Sequence, residues 1–368
     1  MRKRGMLWYT SFLFGEFTMI RTAQELMQAN MIVKHYAGSI AYGTNLPTSD
    51  VDFRGVFVAD PINIRTPFYT VKEVDDTTEE DTKLYELSQF MKLSLDCNPN
   101  VIETLWVDPA SIVVTTPAYD MLRQAAPSLL SSKIAYTTVG YATSQLKRIK
   151  GHNKWINNPQ PTERPQQVDF VSLVHTFTSD KSLSINLRTL AQGYRLVPYS
   201  GNTYGVYHTG VHSPFNPTTG ALNTDYQGDS HLLGTPEYIV KFNAESYHAA
   251  CDMWENYWTW KKNRNVKRSE LEEAHGFDTK HAMHLVRLLR MGAEALETGK
   301  IQVYRLDAAE LLEIRHGKWT YDQIVEYAEH MGDLVLNKLI HTTQLPKRPD
   351  IKLAAKLMME VQDLVWAT

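Results

Sequence analysis

Two aspartates one residue apart, Asp50 and Asp52, follow a Gly38-Ser39 pair across a polar, turn-rich stretch of HYAGSIAYGTNLPTSDVDFRGVFV, residues 35–58. If Asp50-Val51-Asp52 is strand, alternate residues share a face, and both carboxylates point the same way with Cα atoms about 6–7 Å apart. Like charges so close are unfavourable unless a cation sits between them. Hard oxygen ligands suit Mg²⁺, with Mn²⁺ as the alternative; Mg²⁺ keeps several waters and completes its shell with substrate phosphates. Gly38 lets the backbone approach a phosphate closely, and Ser39 adds a hydroxyl donor. A helix starting just after this turn adds free N–H groups. A phosphate cradle joined to metal-binding acids is what nucleotidyl transfer from an NTP needs. The rival reading is a strand, a turn and a strand with surface acids.

Other residues could serve the same chemistry. Arg54 follows Asp52 by two and shares its strand face, so it either neutralises the acids or reaches a phosphate. In DTKHAMHLVRLLR, Lys280, His284 and Arg287 fall on one helical face, a basic stripe for a triphosphate or an RNA backbone. His281 and His284 are spaced for a metal, but no Cys or acidic pattern joins them. Asp278 reads as the N-cap of that helix. Gln145, Lys147, Arg148 and Lys150 cluster ahead of His152, Lys154 and Trp155. WENYWTWKKNRNVKR, residues 254–268, mixes aromatics with cations, which suits unpaired bases or, equally, a helix with a buried Trp face. Ser49 reads as a turn-shaping residue, and Asn98-Pro99-Asn100 as a turn between a helix and a strand.

The elements that must position these groups follow from periodicity. Residues 20–30 read as a helix with Thr22 as N-cap. MIVKHYAG, VDFRGVFVA and DTKLYEL read as strands, LSQFMKLSLD as a helix, and residues 117–150 as helical. Residues 158–236, rich in Pro, Gly, Asn, Thr and Tyr, read as a β-rich insertion, and helical periodicity resumes at 237. Four segments result: an extension over 1–19, a core over 20–157, the insertion over 158–236 and a helical part over 237–368. The extension is basic then apolar, like a signal peptide, but Gly15 and Glu16 break it and no small-residue cleavage site follows. The composition is 43% apolar and 21% charged in 368 residues, which favours a packed globular chain over disorder. The net charge of -3 confines any nucleic-acid binding to a local patch. Two cysteines far apart, Cys97 and Cys251, fit a reducing compartment, and no run of eighteen apolar residues occurs. A cytoplasmic location and no membrane partner are expected.

Gly38-Ser39, ten residues, then Asp50-Val51-Asp52 resembles the GS…DxD signature of the DNA polymerase β-type nucleotidyltransferases. The blocks YELSQFMKLSLDCNPNVIETLWV, YATSQLKRIKG and DTKHAMHLVRLLRMGAEALETGKIQV, in this order, resemble the RNA-repair-associated RlaP (YcgL-like) branch. The resemblance implies an α/β or α+β fold: a polymerase β-like core of mixed sheet and flanking helices, with the insertion and helical part added. It implies transfer of an NMP to a hydroxyl, with an RNA 3′ end, tRNA among them, as acceptor. Two alternatives stay open: the same transfer onto a protein, and a non-catalytic RNA-binding protein of the same fold. It further implies a third carboxylate, for which TTEEDTKLYEL offers Asp81, which opens the strand, with Glu86 as the rival. Members with such an insertion point to a tailed-phage source. The expected site is therefore Asp50, Asp52 and Asp81 on the metal, and Gly38, Ser39, Arg54, Lys280, His284 and Arg287 on the nucleotide.

Overall fold

A computed structural model describes residues 22–76, 81–177, 187–190, 193–228, 233–264 and 272–367. The extension read over 1–19 lies outside the described residues. The chain forms two compact units: residues 1–153 with 271–368, and residues 154–270. Each is described by itself.

In the first unit, α1 (Ala23–Ala29) opens with a capping box in which Thr22 and Glu25 satisfy each other's backbone N–H groups. β1 (Met31–Tyr36) follows, then the one-turn α2 (Gly38–Tyr42), β2 (Asp52–Phe57) and the short α3 (Pro61–Arg65). Next come β3 (Glu73–Asp76), β4 (Asp81–Glu86), α4 (Leu87–Leu95), α5 (Pro99–Ile102), β5 (Ile112–Thr115), α6 (Pro117–Leu129) and α7 (Ile134–Asn157), whose last turn passes the unit boundary. After the second unit the chain adds α9 (Thr279–Thr298), α10 (Ala308–Arg315), α11 (Tyr321–Leu334) and α12 (Ile351–Trp366). The second unit carries β6 (Val171–Thr176), β7 (Tyr194–Pro198), β8 (Thr203–His208), β9 (Tyr238–Phe242) and α8 (Ala244–Lys262).

The sheet of the first unit runs β3-β4-β2-β1-β5 and is mixed. β1 pairs antiparallel with β2 and β5, β2 parallel with β4, and β4 antiparallel with β3. Both faces are covered. Val56 and Tyr85 join the large core with Phe90, Leu122 and the apolar face of α9, while Phe57 and Leu84 join a smaller cluster with Leu26 and Val74. Pleating therefore puts Asp52, Arg54 and Val56 on the large-core side, with Asp81, Lys83 and Tyr85 beside them.

Three expectations need correction. The strand read from Val51 begins at Asp52, so Asp50 lies in the loop that leads into it. NVIETLWV forms α5 and a 3-10 turn instead of a strand, because Asn98 caps Pro99 at the first helical position and accepts from the Asn100 N–H. The β-rich region is larger than residues 158–236. β9, which the helical reading of 237–368 absorbed, pairs with both β6 and β8 and completes a four-stranded antiparallel sheet in the order β6-β9-β8-β7. Val168, Leu196, Val206 and Val240 pack in its core. On α8 the Trp254 and Trp258 indoles both donate to the Pro161 carbonyl, at 2.9 and 3.0 Å, and Trp260 packs on Trp155. The aromatic side of that segment is thus engaged within its own unit.

Gly55 sits mid-strand where a Cβ would come 2.1 Å from the Val33 carbonyl oxygen and 2.5 Å from Leu84. The first neighbour is backbone and cannot step aside. Gly55→Ala is expected to destabilise the chain by about 3 kcal/mol, read as a lower urea midpoint at unchanged m-value.

Candidate active site

Parallel pairing of β2 with β4 sets Asp52 opposite Asp81, the first residue of each strand. Neighbouring strands lie about 4.8 Å apart, so the two carboxylates leave the sheet edge side by side. Asp50, exposed, precedes them from the loop. Asp52 is half-buried, and burial raises its carboxyl above the usual range, as does the charge of Asp81 and, more weakly, Asp50; Arg54 and Lys280 oppose this. Among the described residues, Asp50, Asp52 and Asp81 make no ion pair within 4.0 Å. Glu86 is at the other end of β4, about 16 Å along the strand. It faces the smaller core and accepts from the Ser88 N–H at 2.6 Å as the N-cap of α4.

The turn after β1 completes the edge. Gly38 has φ +58°, and a Cβ there would fall 2.5 Å from Asp52 Oδ2. Only glycine meets both demands at once. The Ala37 N–H donates to the Asp52 carbonyl at 2.8 Å, which locks the start of α2 to the acid strand. Ser39 is the second residue of α2, half-buried, in a first turn whose N–H groups have no helical acceptor. Ser49 accepts from the Leu46 N–H at 2.8 Å and shapes the loop that carries Asp50. The acid trio, with Asp81 and Asp50 both acting on Asp52, and a glycine whose missing Cβ leaves Asp52 Oδ2 in place, fit a hard divalent cation such as Mg²⁺.

The basic residues sort differently from the expected stripe. Lys280 acts on Asp52, as such a stripe requires. Arg287 does not face outward: it is 4% exposed, its guanidinium stacks 3.8 Å above the Tyr42 ring, and it lies 3.9 Å from Glu103 Oε2. The apolar residues around it on α9 draw that side of the helix into the core. His284 between them is held neutral, its pKa lowered to about 3 by burial and by the charges of Arg287, Lys280, His281 and Arg315. Arg54 donates to the Asn100 carbonyl at 3.3 Å, and its charge reaches Glu103 and Asp52 alike. Asp278 caps α9 through the His281 N–H, as expected.

Glu103 escaped the sequence reading. It is 2% exposed, and the Tyr42 hydroxyl donates to both its oxygens, at 2.8 and 2.9 Å. A carboxylate inside the apolar run NVIETLW is the signal, since a buried charge demands a partner. Glu103, Tyr42 and Arg287 thus brace the last residue of α2, four positions after Gly38. Beside them His35 contacts the Thr104 hydroxyl at 3.1 Å and the Tyr36 carbonyl at 2.7 Å.

Two outcomes follow. Tyr42→Phe leaves the buried Glu103 carboxylate short of a donor and should cost about 1–3 kcal/mol in urea unfolding. Burial lowers the His35 pKa from 6.5 to about 4. The folded state therefore favours neutral imidazole, and the unfolded chain binds more protons between these values. That contribution is complete above pH 6.5 and is lost as pH falls towards 4, amounting to about 3 kcal/mol. Unfolding free energies at pH 7.5 and 4.5 should differ less in His35→Gln than in the parent chain.

Comparison with known proteins places this edge in context. The chain is 25% identical over 328 residues, 83% of its length and 88% of the relative's, to an uncharacterized 38.9 kDa protein of the nrdC-mobD intergenic region of Enterobacteria phage T4. A phage relative is what a phage origin predicts. No solved structure is a significant match. Among the described residues no helix is long and apolar enough to cross a membrane. Across residues 15–162, which carry both acid strands and all three aspartates, the chain matches RlaP, the RNA repair pathway DNA polymerase beta family, as its sequence motifs implied.

Proposed function

We propose that the chain is a Mg²⁺-dependent nucleotidyltransferase that moves an NMP from an NTP to a hydroxyl, an RNA 3′ end being the acceptor, with release of pyrophosphate. One observation carries this reading: Asp52 and Asp81 lie in register across parallel strands, beside a glycine whose missing Cβ keeps Asp52 clear. The match to an RNA repair family supports the choice of acceptor.

The roles follow from position. Gly38 lets the α2 backbone approach the triphosphate, and the Ser39 hydroxyl donates to a phosphate oxygen. Asp50, Asp52 and Asp81 would hold the metal, which when bound neutralises phosphate charge and makes the acceptor hydroxyl more acidic. Asp81, exposed at the strand start, takes the hydroxyl proton as the acceptor oxygen bonds to the α-phosphorus and the bond to the β-phosphate oxygen breaks. Lys280 faces the departing negative charge. Arg287 and Glu103 act through Tyr42, fixing α2 without touching the substrate.

The test is a screen of the four NTPs against RNA and protein acceptors with Mg²⁺. RNA should be extended, with pyrophosphate released, and Asp50→Ala/Asp52→Ala should lose at least about a thousandfold in rate. Label appearing on protein alone would refute the RNA acceptor. Equal nucleotide binding by parent and double variant, with no transfer by either, would leave a binding protein of the same fold. Ser39→Ala should raise KM about tenfold, the loss of one charge-assisted hydrogen bond.

A further inference from the structure

A second polar cluster lies in the first unit, made of residues that the reaction above does not use. It is made by His152 near the end of α7, Glu272 where the chain has just returned to the first unit, and Asp278 at the start of α9. One ligand atom from each lies within 4.8 Å of the others. His152 Nδ1 is 3.9 Å from Glu272 Oε1 and 3.9 Å from Asp278 Oδ2, while the side chains are 20%, 6% and 3% exposed.

These separations are too long for direct hydrogen bonds. They suit atoms that share an ion: ligands each about 2.1 Å from one cation stand roughly 3–4 Å apart. Both oxygens of Asp278, including the Oδ2 that faces His152, are also held by His281. Its Oδ1 accepts from the His281 N–H at 2.9 Å, and its Oδ2 contacts His281 Nδ1 at 2.5 Å. Outer histidines and carboxylates that orient a ligand in this way recur around metal ions.

We propose that His152, Glu272 and Asp278 bind a divalent first-row cation, Zn²⁺ or Mn²⁺, with His281 orienting Asp278. The donor set of one imidazole and two carboxylates suits these ions better than it suits Mg²⁺ or a thiophilic metal. The sequence positions give the site its use. His152 is the second-last residue before the chain leaves the first unit, and Glu272 the second after it returns. The Asn153 side chain donates to the Gly276 carbonyl at 3.0 Å in the same clasp. An ion here ties exit to re-entry and fixes the first turn of α9, from which Lys280 acts on Asp52.

The full chain carrying Asp50→Asn/Asp52→Asn, stripped with a chelator, isolates this site from the acid edge. Titrated calorimetrically with Zn²⁺ alone and Mn²⁺ alone, it should bind one equivalent of one of them and melt several degrees higher. His152→Gln should abolish that binding, and His281→Ala should weaken it about tenfold or more. As a second readout, Co²⁺ added to the parent chain should give visible d–d bands that His152→Gln lacks. Binding that His152→Gln leaves unchanged, or no binding by either readout, would overturn the proposal and leave a histidine–carboxylate ion-pair cluster.

Discussion

Repulsion between carboxylates brought side by side is the constraint around which the first unit is organised. Parallel pairing of β2 and β4 leaves Asp52 no freedom to avoid Asp81, because both open their strands at the same level. A protein can relieve such repulsion with its own cations. Here none of the three aspartates has an ion pair among the described residues, and Asp52 has its carboxyl pushed upward instead. Burial and the charges of Asp81 and Asp50 outweigh what Arg54 and Lys280 supply at Asp52, an arrangement that a further positive charge would relax.

Holding acids in that state requires rigidity one layer beneath. The Ala37 N–H to Asp52 carbonyl bond joins α2 to the strand, and Tyr42 at the far end of α2 is clamped between the Glu103 carboxylate and the Arg287 guanidinium. Burying that pair is tolerable only because the Tyr42 hydroxyl and ring satisfy a part of each charge. Residues on α2, on the 3-10 turn after α5 and on α9 therefore position a turn that none of them forms alone.

Much of this was legible from sequence. The strands of the acid edge, the N-caps Thr22 and Asp278, the helix after Glu86 and the glycine before Ser39 each leave a local signature of periodicity, cap chemistry or turn chemistry. The misreadings share a physical cause. Arg287 has the helical spacing of an exposed stripe, but only the third dimension shows that Tyr42 and Glu103 lie beneath it. β9 is five residues long beside a long helix, and its pairing with β6 and β8 is a non-local fact. Asp50 shares a motif with Asp52 yet not a strand, because the ladder starts at Asp52, two residues later than an Asp50-Val51-Asp52 strand requires.

The distribution of cations adds a last argument about what the site receives. Arg290 is committed to Asp307 and Glu310, Arg305 to Glu294 and Asp307, and Lys83 to Glu73 and Asp75. Arg287 lies over Tyr42, and His284 and His35 are held neutral. Much of this positive charge is thus consumed in holding the helices, while Arg54 and Lys280 act on Asp52 at the acid edge. A site built to grip phosphate by side-chain charge would spend its arginines otherwise. The site proposed above offers backbone N–H groups, one hydroxyl and three acids, a set that would favour a polyphosphate carried with its divalent counterions over a bare anion. Under the proposed function, phosphate recognition and metal recognition would be a single event.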